Sequence, residues 1–119
     1  MKKLNWSTPE TGQMCRLGKH EWSVARLIQL SSNLEVMLIP IQHLNVYHIY
    51  DRLSLREMVM HFDTAMMADL DCPIILDEDG ELMDGRHRIM KVLMNGDRAI
   101  KAVRFDENPP PCSILEDMQ

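Results

Sequence analysis

The apolar positions of this chain fall into short stretches separated by turn residues, and their spacing sets the expected elements. In residues 20–31, Val24, Ala25, Leu27, Ile28 and Leu30 recur at intervals compatible with a short helix, which Ser31, Ser32 and Asn33 end. A loose alternation over residues 35–44 predicts a strand at 36–39 that stops at Pro40, because proline brings no N–H to a ladder. The clearest helix opens at Ser54. Ser54-Leu55-Arg56-Glu57 is a capping box, in which the side chains of the first and last residues each accept the other's backbone N–H. Leu55, Met58, Val59, Phe62 and Met66 follow at helical spacing and predict one buried stripe, and Asp69, Asp71 and Pro73 end the helix.

Ile74-Ile75-Leu76, short and bounded by turn residues, predicts a buried strand. Asp79-Gly80 is a strong hairpin signal, since a tight turn requires positive φ, and it joins that strand to a second at 81–83. Asp84-Gly85 then turns the chain into a helix over 86–94, with Ile89, Val92 and Leu93 facing inward and Gly96 as terminator. A last strand spans 100–105, and Pro109-Pro110-Pro111 closes the fold ahead of an acidic tail with Glu116 and Asp117. The first twenty residues show no sustained period. They predict an irregular lead-in anchored by Trp6 and Trp22. The class is α/β, divided into an N-terminal extension with a short helix (1–33), a compact domain (34–106) and a C-terminal tail (107–119).

Composition narrows the function classes. A chain of 119 residues, 45% apolar and 26% charged, builds one core. No stretch approaches the roughly 18 apolar residues of a spanning helix, and no signal peptide is visible, so a cytoplasmic protein is expected. Cys15, Cys72 and Cys112 form no CxxC pair, which predicts neither a disulfide framework nor a zinc site. The histidines His20, His43, His48 and His61 lack metal-ligand spacing and are expected to be packed or exposed. Eleven methionines against six aromatic residues point to a core filled by thioethers. The net charge of −5 is divided unevenly, +2 over residues 1–50 and −7 over residues 51–119. Such an acidic second half disfavours duplex DNA, whose affinity comes from neutralised phosphates.

One segment concentrates chemistry. Asp84-Gly85-Arg86-His87-Arg88 places a glycine turn ahead of three donor-bearing side chains in a first helical turn, where backbone N–H groups and the macrodipole already favour an anion. Two arginines there oppose the macrodipole by about 0.3 to 1 kcal/mol each, so something anionic should offset them. Either a bound phosphate does so, with Gly85 allowing close approach, or the domain's own carboxylates do. Asp84 is a candidate first for helix capping and next for acid–base chemistry.

The strand, hairpin, Asp84-Gly85-Arg86-His87-Arg88 turn, helix ending at Gly96 and closing strand resemble the ParB/sulfiredoxin superfamily, whose small members carry an Asp-Gly-His-His-Arg motif. Ile39-Pro40-Ile41 and the helix from Ser54 fit the same order, so the resemblance covers residues 34–106. It implies a nucleotide-phosphate site with Gly85, His87 and Arg88 as phosphate ligands, to which the residue reading adds Arg86. The implied cofactor is ATP, ADP or CTP, with or without Mg²⁺, and the implied activity is that of a small-molecule kinase or nucleotidase. Arg86 stands where sulfiredoxins have their cysteine, which argues against sulfiredoxin chemistry. ParB proteins proper carry a helix-turn-helix domain for which 119 residues leave no room, so specific DNA binding is not expected. The alternative is a non-catalytic regulatory module that uses the anion pocket for a small-molecule or protein partner.

Phosphoryl transfer would also require carboxylates, and Asp84, Glu35 and Asp51 are the candidates. Cys15 sits in Cys15-Arg16-Leu17-Gly18-Lys19-His20, a basic setting that would lower a thiol pKa. The same stretch is complementary in charge to phosphate and is a candidate lid.

Overall fold

The computed structural model describes residues 13–44 and 52–115. Trp6, His48, Asp51, Glu116 and Asp117 lie outside them. In chain order, β1 (Met14–Leu17) and β2 (His20–Ser23) form a hairpin, and α1 (Val24–Ser31) starts at once, with the Ser23 hydroxyl accepting the Arg26 N–H at 3.1 Å. β3 (Met37–Pro40) leads into a 3₁₀ turn, Ile41–His43. Then come α2 (Leu55–Met66), β4 (Ile74–Leu76), β5 (Leu82–Asp84), α3 (Arg86–Asn95), β6 (Ala99–Arg104) and β7 (Ser113–Ile114).

The main sheet is mixed, in the order β3-β6-β4-β5, with β6 parallel to β4 and the outer pairs antiparallel. Because side chains alternate across a sheet, each inner strand feeds two cores. Ile74, Leu76, Ile100 and Ala102 point to one face, where Ile89 and Val92 of α3 cover them. Ile75, Val103 and Phe105 point to the other, beneath Cys15, Trp22, Val24 and Leu27. Burial on both sides explains why β4 reads as an unbroken apolar run. The described residues thus form a compact α/β arrangement of three helices, a four-stranded mixed sheet and a three-stranded antiparallel sheet ordered β1-β2-β7.

Local signals behave as their chemistry requires. The capping box is formed in both directions, Glu57 N–H to the Ser54 hydroxyl at 3.1 Å and Ser54 N–H to the Glu57 carboxylate at 2.9 Å. The buried Asp77 carboxylate accepts the N–H groups of Asp79 and Glu81, each at 2.8 Å, and so shapes the β4–β5 turn together with Gly80. Gly96 ends α3 in the left-handed conformation.

Four expectations are corrected. The lead-in is not irregular from residue 14 onwards: β1, paired with β2, turns Cys15 into the core as β2 turns Trp22, a pattern too short to register as a period. The proline run does not close the fold, since the Pro109 carbonyl accepts the Trp22 indole N–H at 2.9 Å and β7 then pairs with β2. Leu93 is half exposed on α3. Finally, the stripe Leu55, Met58, Val59, Phe62 and Met66 is exposed, because α2 lies on α3 through a different face in which Ala65 is fully buried. Among the described residues no helix is long and apolar enough to cross a membrane.

Candidate anion site at the start of α3

β5 is an edge strand and delivers the chain into α3 through Gly85, whose φ is 116°. A side chain there is excluded twice over. Positive φ is unfavourable for an L-residue, and a Cβ would overlap Ile74 Cγ2 while standing 2.8 Å from Ile74 Cβ. Glycine is therefore required by the packing of the turn on β4, a reason separate from ligand approach. The Gly85 carbonyl accepts the N–H groups of Arg88 at 2.9 Å and Ile89 at 3.1 Å, which starts the helix.

Asp84 is not the helix cap, because Gly85 occupies that position. Its largely buried carboxylate lies 3.5 Å from Arg88 Nη1, which also reaches the Pro73 carbonyl at 3.4 Å. Burial pushes the Asp84 carboxyl above its ordinary value, opposed by the Arg88 guanidinium and the Gly85 N–H. Arg88 thus has the carboxylate partner that the residue reading allowed, and the pair ties the last residue of β5 to the first turn of α3.

His87 faces α2. Its Nε2 lies 2.9 Å from Nδ1 of His61, and the two rings stack with centroids 5.1 Å apart. One nitrogen must donate and the other accept, so the pair holds at least one neutral ring. Burial, then His61, then Arg86 lower the His87 pKa. His61 was expected to be merely packed or exposed. The apolar stripe of α2 suggests a different inward face, whereas the residue that lines up with Ala65 four positions on is His61.

The first turn of α3 opens on a cleft of about 610 Å³. The hairpin and α1 supply one wall through Met14, Val24 and Ile28, the end of α2 supplies another through Thr64, Met67 and Asp69, and residues 82–88 form the floor. Of the predicted residues, Asp84, Gly85, Arg86, His87 and Arg88 all line it. Glu35 is exposed and outside the lining. Cys15 is corrected: it turns into the core, and burial followed by the charges of Asp84 and Asp77 pushes its thiol up to about 11, so it is not an activated nucleophile. The basic stretch around it is the β1–β2 hairpin.

A nucleotide fits this lining in part. An apolar wall stands beside Arg86 and His87 at the helix start, where first-turn N–H groups are directed away from the helix's own carbonyls. The carboxylates Asp69 and Asp84 are engaged by the Asp71 N–H and by Arg88, and among the described residues no group of three His, Cys, Asp or Glu could hold a metal.

His87 sets a pH dependence. A folded pKa below the unfolded value of about 6.5 contributes stability that is present above that value and lost as pH falls through the folded one. The Tm should therefore decline on acidification from neutrality to about pH 5.5, and His87→Gln should flatten that decline. An unchanged slope in the variant would remove His87 as its source.

Comparison with protein-family models, with curated proteins and with solved structures finds no match to this chain.

Proposed function

We propose that the cleft at the start of α3 binds the phosphate groups of a nucleotide, in a domain of the ParB/sulfiredoxin type. The carrying observation is the convergence of Arg86, His87 and the helix N-terminus on a cleft of about 610 Å³ with an apolar wall. Arg86 and the positive end of the helix take phosphate, His87 lines the cleft as a largely neutral ring, and Met14, Val24 and Ile28 offer a surface for the remainder of the ligand.

One observation favours binding without turnover, in a regulatory module, over kinase or nucleotidase chemistry. Asp84, the carboxylate nearest the phosphate turn, is held by Arg88 and is therefore poorly placed to orient an attacking hydroxyl. Calorimetric titration with ATP, ADP and CTP, with and without Mg²⁺, followed by a phosphate-release assay, tests both readings. Binding is expected for at least one nucleotide, and Arg86→Ala should weaken it by about 1.5 to 3 kcal/mol, the range for a charged hydrogen bond. Sustained phosphate release would restore the enzymatic reading. No binding of any of the three would remove the assignment.

A further inference from the structure

The capping box and the helical periodicity of α2 produce an amphipathic helix whose apolar stripe is left exposed among the described residues. Leu55, Val59, Phe62 and Met66 recur at intervals of four, three and four, and with Met58 they are between 38% and 79% exposed. Only the neighbouring face, through His61 and Ala65, turns to α3. The stripe exposes on the order of 600 Å² of apolar surface, the upper end for a single patch on a monomer and most of the roughly 800 Å² that each partner buries in a standard interface. It is separate from the cleft, which α2 meets only at its C-terminal end.

We propose that this stripe is the contact between two copies of the chain, with their α2 helices antiparallel across a two-fold axis. The flanks of the stripe argue for a second copy as the occupant. α3 covers one flank. The other carries Arg56 and Asp63, seven residues apart on the same side and both exposed. In an antiparallel pair related by a two-fold, like flanks meet, so Arg56 of each copy faces Asp63 of the other, twice per dimer. A parallel pair would instead drive this charged flank against the one α3 occupies. The stripe is thus complementary to itself in one orientation, in charge as well as in apolar character.

Sedimentation equilibrium on the whole chain, from about 1 µM to about 1 mM, should show a reversible monomer–dimer equilibrium. Val59→Glu, at an exposed position where no core contact is lost, should leave the circular dichroism spectrum and Tm nearly unchanged and abolish the dimer. Arg56→Glu puts an acid in the first turn of α2, which the macrodipole favours, and should weaken the dimer at least about tenfold without unfolding the chain. Combining it with Asp63→Arg should restore wild-type dimerisation. A wild-type chain that stays monomeric throughout, because another segment or a different partner covers the stripe, overturns the proposal. So does a dimer that survives Val59→Glu. Failure of the paired charge reversal to restore the dimer overturns the antiparallel arrangement.

Discussion

Gly85→Ala should destabilise the domain by about 3 kcal/mol or more, the largest effect expected from any single change near the cleft. Two costs combine. Holding alanine at a φ of 116° carries a backbone penalty on the order of 1 to 2 kcal/mol. The added Cβ also meets Ile74, which is fully buried in the middle of the sheet and has nowhere to retreat. In a domain with about 5 to 15 kcal/mol of total stability, such a loss lowers Tm by about 12 °C or more. Thermal melting of the variant checks the size, and a double-mutant cycle checks the cause. Ile74→Ala removes the Cγ2 that the new Cβ overlaps, so Gly85→Ala and Ile74→Ala together should destabilise less than the sum of the two alone. Simple additivity would sink the steric account.

This glycine shows what was legible in the chain and what was not. Asp84-Gly85 marked the strand-to-helix turn correctly, because a residue tolerant of positive φ is a local requirement that sequence states directly. The same holds for the capping box at Ser54, the Asp79-Gly80 hairpin and Gly96, each satisfied within a few residues of where it is written. Legibility fails where a partner is distant. That Gly85 must clear Ile74, that His61 meets His87 across 26 residues, and that Trp22 donates to Pro109 across 87 are all consequences of packing with no local trace. The stripe on α2 fails for a different reason. Periodicity reports that a helix has an apolar face but not what covers it, and here the fold uses the adjacent face instead.

Arg88→Ala should lower stability by about 2 to 3 kcal/mol and leave the nucleotide affinity of the folded fraction nearly unchanged, the reverse of what a phosphate ligand would show. Removing one member of a buried ion pair leaves the other without its counter-charge, at a cost of about 3 to 5 kcal/mol when burial is complete. The smaller figure expected here follows from the pair's 3.5 Å separation and from side-chain exposures of 12% for Arg88 and 15% for Asp84. Asp84, already above its ordinary value, would move further up once Arg88 is gone. An acid whose folded pKa is raised contributes stability that is fully present below its unfolded value and lost as pH rises through the folded one, so the deficit of Arg88→Ala should shrink on acidification into the carboxylate range. Asp84→Asn in the Arg88→Ala background should recover part of the loss at neutral pH, because the buried charge is then gone. Melting curves at neutral and acidic pH, with calorimetric titration of the same samples, separate the possibilities. Weakened nucleotide binding in a fully stable Arg88→Ala protein would return Arg88 to the phosphate site and reverse the division of labour proposed here, in which Arg86 and His87 meet the ligand while Arg88 holds Asp84 and the turn beneath it.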